Sequence, residues 1–296
     1  MHQTGQIYRP PSEASVQRLE VTIGCSHNKC SFCTMYRKTP FRVAPLEDVE
    51  MDLKELYDRG EKITRIYLTN GDPFVLGTDR LVKIAELVHQ YLPEVEVLTC
   101  YASIQNLKAK SLEDLKLLKS VGYDELYVGL ETAYAPAVKL INKGFTVEEA
   151  YENIGKLKEA GMKYSALLML GIGGKGHSKE SVEATAALLN KYPPYRVSPL
   201  STAVLRGSEL EELCDKGEYV QLTERELVEE EKMLLRALKI NDCIFFGSHP
   251  YNLITISGVL PQDREEIIKH LDSVMAGWDR GQPGFLDTVW KRTDME

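Results

Sequence analysis

The sequence lacks any apolar run approaching the ~20 residues that a membrane-spanning helix requires, so no span is expected. Its N-terminus, Met-His-Gln-Thr-Gly-Gln, lacks the charged-then-apolar pattern of a secretory signal. A disulfide framework is also missing. Of six cysteines three are clustered, and Cys100, Cys214 and Cys243 are scattered, which points to a reducing, cytoplasmic setting. Net positive charge is absent too. At −8 the chain argues against an extended nucleic-acid surface, although a local basic patch stays open. What is present is an ordinary balance, 43% hydrophobic and 27% charged in 296 residues, enough for one large core or two modest ones.

Against that plain background one stretch stands out, Arg-Leu-Glu-Val-Thr-Ile-Gly-Cys-Ser-His-Asn-Lys-Cys-Ser-Phe-Cys-Thr-Met-Tyr at residues 18–36. A β-type run ends at Gly24 and empties into Cys25, Cys30 and Cys33, spaced C-x4-C-x2-C. Three thiolates on one loop can hold three irons of a cubane [4Fe–4S] cluster and leave the fourth iron open, since soft sulfur ligands select Fe–S clusters, zinc or copper(I). Zinc would want a fourth ligand, and His27 lies inside the loop, but no second Cys/His pair follows at finger or ribbon spacing. The same spacing occurs in plant-type [2Fe–2S] ferredoxins, where a distant cysteine such as Cys100, Cys214 or Cys243 would complete the site. Three unconnected core cysteines are the plainest alternative. A cluster with an open iron is favoured, because a ferredoxin has no need of the repetitive architecture that follows.

Residues 1–16, with Pro10-Pro11, read as an N-terminal arm. A strand at 18–24 feeds the cysteine loop. Pro45 and Glu47-Asp48-Glu50 open a helix with Val49, Leu53, Leu56 and Tyr57 on one face, and Gly60 ends it. Strands are expected at 63–68, 95–99, 125–130, 164–170 and 196–205. Helices are expected at 79–91, from the capping-box pattern Ser111-Leu-Glu-Asp to Gly122, from Thr146-Val-Glu-Glu to Gly161, and from Ser178. Apolar strands alternating with amphipathic helices about 30 to 45 residues apart indicate βαβ units and a parallel sheet. Six units can close partly into a barrel or open into a doubly wound sheet, and the strand order is not legible. In both, the ligand site lies at the C-terminal strand ends.

The unusual residues gather at those ends. They are the cysteines after strand one, Asn70-Gly71-Asp72-Pro73 after strand two, Cys100 and Tyr101 after strand three, Glu131 after strand four, and Gly171 to His177 after strand five. From about 207 the rhythm breaks into Glu-rich helices at 208–216 and 223–239. Cys243 to Phe246, the loop Gly247-Ser-His-Pro-Tyr-Asn252 and a helix near 264–275 follow. The expected division is an arm at 1–16, a core at 17–206 and a cap at 207–296, with the cap's helix charges read as a solvated face.

Strand, cysteine loop, then a Gly-acid-Pro turn after the second strand: this combination resembles the radical S-adenosylmethionine (SAM) superfamily, in the branch of the coproporphyrinogen oxidases, methylthiotransferases and Elongator-type enzymes. The resemblance covers roughly residues 17–205, with one residue more between Cys25 and Cys30 than the usual C-x3-C-x2-C. It implies a partial (β/α)6 TIM-type barrel with a small C-terminal helical cap, binding a [4Fe–4S] cluster through Cys25, Cys30 and Cys33 together with SAM. Phe32 would pack beside the adenine. Asn70-Gly71-Asp72-Pro73 stands where the family binds the SAM amino group, whose N–H donors need acceptors from an exposed turn and a carboxylate. Glu131, in Gly129-Leu130-Glu131-Thr132, would take ribose hydroxyls or the amino group, Lys143 the carboxylate, and Gly171 and Gly173 would admit the adenosine. Tyr36, Cys100, Tyr101, His177 and His249 are candidate catalytic or substrate contacts.

The resemblance further implies an electron from reduced flavodoxin or ferredoxin, SAM cleavage to methionine and a 5′-deoxyadenosyl radical, and hydrogen abstraction from an organic substrate. There is no second cysteine cluster, no N-terminal βα domain for cobalamin and no visible C-terminal RNA-binding barrel. A small or medium substrate under the cap is therefore expected. Two other classes compete: a haem or cluster carrier without turnover, with His249 or Cys243 as haem ligand, and a zinc-stabilised binding module.

Overall fold

A computed structural model describes residues 1–289. The strands are β1 (Gln17–Glu20), β2 (Thr22–Ile23), β3 (Arg42–Val43), β4 (Arg65–Thr69), β5 (Val97–Ala102), β6 (Leu126–Glu131), β7 (Tyr164–Leu170), β8 (Arg196–Ser201), β9 (Cys243–Phe246) and β10 (Ser257–Leu260). The helices are α1 (Leu46–Arg59), α2 (Thr78–Tyr91), α3 (Ile104–Lys108), α4 (Leu112–Ser120), α5 (Ala135–Leu140), α6 (Val147–Glu159), α7 (Ser178–Lys191), α8 (Glu209–Asp215), α9 (Glu224–Ala237) and α10 (Arg264–Gly281). Eight strands form one sheet in the order β1-β4-β5-β6-β7-β8-β9-β10. The strand order is sequential, so each βα unit adds its strand beside the last, the winding of the partial barrel.

Contacts divide the chain into two compact units. The first comprises 1–28, 35–129 and 152–164, and the second 29–34, 130–151 and 165 onward. In the first, β1 pairs in parallel with β4, β4 with β5, and β5 with β6. Leu19, Ile66, Tyr67, Leu68 and Leu98 are wholly buried there. Val49, Leu53 and Leu56 of α1 are buried as the apolar spacing predicts, but Tyr57 is 61% exposed. It lies one step round the helix from Leu56, off the buried stripe. Gly60 closes α1 in the left-handed conformation at φ +67, and Ser111 makes the expected capping box with Asp114.

In the second unit β7 pairs in parallel with β8 and β8 with β9, and β10 returns antiparallel to β9. The 207–296 region, whose residues 290–296 lie outside the described residues, therefore extends the sheet as well as contributing helices. Its acidic helix is not a purely solvated face either: Glu224, Glu230 and Glu231 of α9 are buried. The strand expected at 18–24 divides into β1 and β2, and β3, α3 and α5 had no sequence-level signal, because elements this short carry no full period.

Candidate functional site

In the first unit the cysteine loop is tied to the turn after β4 by backbone contact. Gly24 is left-handed (φ +76), and its carbonyl accepts the Gly71 N–H at 2.9 Å. A Cβ on Gly71 would stand 2.5 Å from Cys25 Cβ, so only glycine permits this approach. Asp72, nearly fully buried, accepts the Ser26 N–H at 2.9 Å and the Ser26 hydroxyl at 2.5 Å. The carboxylate expected to meet the SAM ammonium thus holds the residue next to Cys25. Asn70 sits at φ +81, with Nδ2 donating to the Thr22 carbonyl at 2.7 Å. That bond turns its buried Oδ1 away, and Oδ1 has no hydrogen-bond partner. An orphaned buried acceptor costs stability and points to a missing donor.

Pro73 opens a 3-10 turn (Pro73–Val75) that is fastened from behind. Lys110, buried, donates to the Phe74 and Leu76 carbonyls at 2.7 and 3.0 Å, and burial lowers its pKa to about 8. No sequence signal singles out Lys110 or Ser26 as supports of this turn. Cys100 is wholly buried beside the same turn, and burial raises its thiol pKa so that it stays protonated. Tyr101 stands edge-on to Tyr67 and Tyr127, with ring centroids 5.9 and 6.2 Å away. Tyr36 is buried edge-on to Tyr8 at 5.4 Å.

In the second unit the segment 29–34 is held by its backbone. Buried Ser31 donates from its N–H to the Ile141 carbonyl and from its hydroxyl to that of Leu140, and its own carbonyl accepts from Leu210. Asn142 donates to the Lys29 carbonyl at 3.0 Å. This leaves Cys30 and Cys33 half-buried and free of disulfides. Phe32 packs on the cluster of Ala137, Ile141, Met169, Ile172, Leu210 and Tyr219.

Lys143 joins Phe32 and Glu131. Its ammonium donates to Glu131 Oε1 at 2.7 Å and lies 5.5 Å from the Phe32 ring centroid. Burial works against its charge, but Glu131, Cys30 and Cys33 outweigh burial and raise its pKa. Glu131 ends β6 at φ +62 and is nearly buried, a strained backbone of the kind stored at functional sites.

Gly171 is left-handed at φ +80, and its own N–H and carbonyl are engaged by Glu230 at 2.8 Å and the Tyr219 hydroxyl at 2.9 Å. A Cβ on Gly171 would stand 2.7 Å from Leu227 Cδ2, whereas one on Gly173 would meet His177 at ordinary contact distance, 3.4 Å. His177 stacks on Tyr134 at 5.9 Å.

His249 is half-buried, and burial lowers its pKa to about 4. Its Nδ1 accepts the Tyr251 N–H at 3.1 Å, which puts the ring proton on Nε2. Metal-bound histidine instead donates its other N–H, so this tautomer does not suit a haem ligand. Nor does Cys243, whose thiol is pushed up to about 12 by burial. Among the described residues no three His, Cys, Asp or Glu side chains stand at single-ion distance.

Each unit therefore brings together part of the expected set: Cys25, Gly71, Asp72 and Pro73 in the first, with Asn70 leading into them, and Cys30, Phe32, Cys33, Glu131 and Lys143 in the second. In the second unit the sulfurs of Cys30 and Cys33 with the Lys143 ammonium in electrostatic reach suit iron ligation, and in the first the orphaned Asn70 oxygen suits an N–H donor. His177 and His249 fall outside both sets. No helix is long and apolar enough to cross a membrane among the described residues.

The family model described as the Radical SAM superfamily matches residues 19–189. An uncharacterized protein of Methanocaldococcus jannaschii is 26% identical over 71% of this chain and 67% of its own length. The tRNA uridine(34) acetyltransferase of Methanocaldococcus infernus is 22% identical over 69% of this chain and 46% of its own. The radical S-adenosylmethionine methyltransferase TsrM of Kitasatospora setae, solved with cobalamin and a [4Fe–4S] cluster bound, superposes with a TM-score of 0.51 at 19% identity, over 63% of this chain and 36% of that one. The chain thus spans under half the length of the two relatives that carry a named activity.

Proposed function

The chain belongs to the radical SAM superfamily, and on that premise we propose that it is a radical SAM enzyme acting on a small or medium organic substrate, reduced by a flavodoxin- or ferredoxin-type donor. The cofactors of the family are a [4Fe–4S] cluster and SAM. A cluster held by Cys25, Cys30 and Cys33 would, when reduced by the donor, supply one electron to the sulfonium of bound SAM, the chemistry on offer being cleavage to methionine and a 5′-deoxyadenosyl radical able to abstract hydrogen from substrate.

The observation that carries this reading is the buried Lys143–Glu131 pair beside Phe32 and within electrostatic reach of Cys30 and Cys33. A charged ammonium there lowers the cost of holding two thiolates and offers N–H donors to a carboxylate. Glu131 keeps that ammonium charged in a buried place and aims it. In the first unit Asn70 Oδ1 is an acceptor awaiting an N–H donor, which suits an amino group. Asp72 acts through Ser26, setting the position of Cys25. Cys25, Cys30 and Cys33 hold the irons.

Oxygen-free purification, reconstitution with iron and sulfide, and dithionite reduction test the reading. The expected results are a reduced [4Fe–4S] electron spin resonance signal that changes shape with SAM, and 5′-deoxyadenosine that disappears in Cys30→Ala. A [2Fe–2S] signal indifferent to SAM, or no iron, would sink it.

A further inference from the structure

The cysteine loop lies in an acid-free stretch of an acidic chain. No Asp or Glu occurs between Glu20 and Glu47, while Lys29, Arg37, Lys38 and Arg42 do, in a sequence of net charge −8. In the first unit the last three sit on the β2–β3 ribbon and the segment leading into it. That segment is fastened to the loop at both ends. Ile23 and Arg42 are register partners. Asn28 Nδ2 and the Thr39 N–H both donate to the Tyr36 carbonyl, at 2.8 and 2.9 Å. A Cβ on Gly24 would lie 2.9 Å from the Thr39 carbonyl oxygen, so the ribbon's approach touches the residue just before Cys25.

Arg37, Lys38 and Arg42 are exposed. Lys38 and Arg42 make no ion pair among the described residues, although other surface lysines and arginines of the chain do. Beside them Val43 is 42% exposed. Two unpaired cations around an exposed apolar side chain, against an otherwise acidic molecule, form a surface with electrostatic complementarity to an acidic protein.

We propose that this basic ribbon is where an acidic one-electron carrier docks to reduce the cluster; the inference rests on the radical SAM reading. The carrier gives up one electron, passing from hydroquinone to semiquinone if it is a flavodoxin, and the cluster takes it up, passing from [4Fe–4S]2+ to [4Fe–4S]1+. No bond is made or broken and no other reactant is needed. An acidic carrier is favoured over RNA. Three cations on a short ribbon are too few for the many phosphate contacts that nucleic-acid binding uses, and the ribbon touches the loop that electrons must reach.

The test uses the full chain with its cluster, an acidic flavodoxin as probe, and the double variant Lys38→Glu/Arg42→Glu. Bleaching of the cluster by reduced flavodoxin, followed by stopped flow, reads reduction without requiring SAM cleavage. Calorimetry with oxidised flavodoxin reads binding. In the double variant both the reduction rate at low salt and the affinity are expected to fall about tenfold or more, and the salt dependence to flatten. Dithionite, which needs no docking, should reduce wild type and variant alike.

If the double variant fails to retain iron, Lys38→Gln/Arg42→Gln takes its place, with a smaller loss in the same direction expected. Flavodoxin rates and affinities equal to wild type in a cluster-loaded variant overturn the proposal. So does loss of bulk-tRNA binding with carrier reduction unchanged, which would make the ribbon an RNA contact. Absence of deoxyadenosine in wild type would overturn the enzymatic reading instead, while the bleaching rates still decide the docking.

Discussion

The two ends of β4 are built on opposite plans. At its start Arg65 is held on three sides. Its guanidinium donates to Glu13 at 3.1 and 2.6 Å and to Glu125 at 2.5 Å, and the Tyr127 hydroxyl adds a 2.5 Å bond to Glu13. Glu13 is brought there by a 3-10 turn (Pro11–Glu13) of the N-terminal arm. Past the other end of the same strand, Asn70 is left-handed with a buried oxygen unpartnered, and Gly71 is pressed against Cys25. One end satisfies every group named here. The other keeps strain and an open acceptor, as expected where strands of a barrel meet their ligand.

The largest effect is expected at the strained end. Gly71→Ala places a methyl 2.5 Å from Cys25 Cβ, and the only escape is to move the cysteine loop or the turn. Bound iron after reconstitution should be nearly lost, while the apoprotein stays folded by circular dichroism. Full iron content in this variant would show that the contact does not set the cluster. Lys143→Met comes next. It strands Glu131 as a buried unpaired carboxylate, at about 3–5 kcal/mol, readable as a lower urea midpoint. Lys143→Arg should restore most of the stability and less of the SAM response, because the planar fork differs from an ammonium.

The satisfied end should respond differently. Glu13→Gln removes the charged partner of Arg65 and of the Tyr127 hydroxyl, for about 3 kcal/mol. Deoxyadenosine formed per folded molecule should not change. A specific loss of SAM cleavage at full stability would break the contrast between the two ends.

The same contrast explains what was legible in the sequence. Strand positions were readable because periods of 2 and 3.6 write burial directly into residue order, and β7 falls at Tyr164–Leu170 as expected. Cys25, Cys30 and Cys33 were readable as local spacing. Partnerships between distant residues were not. Nothing near Asp72 announces Ser26, 46 positions away, so its hold on the loop is not legible in the sequence. A turn glycine such as Gly71 is visible, but not the Cys25 side chain that requires it. The Glu-rich α9 misled for a related reason. Composition suggested solvent, whereas Glu230 caps the Gly171 N–H from inside.

Glu231 extends the contrast to a second strand end and gives the smallest effect. It is wholly enclosed, Oε1 has no partner, and Oε1 would lie 2.9 Å from a Cβ on Gly247, the residue just past β9. Burial raises its pKa to about 8, so the folded chain keeps a proton that the unfolded chain loses near 4.5. Stability from this group is therefore complete at low pH and drains as pH rises toward 8. His249, held to about 4 by burial, has the opposite slope: the unfolded chain gains a proton below 6.5 and stability is lost as pH falls toward 4. Between pH 4.5 and 6.5 the two slopes oppose. Above 6.5 only Glu231 remains of the pair, and the free energy of unfolding should fall by about 2 kcal/mol from pH 6.5 to 8. Urea melts across that range would read the decline, and Glu231→Gln, which cannot ionise, should flatten it. A decline that persists in the variant would assign it to another group.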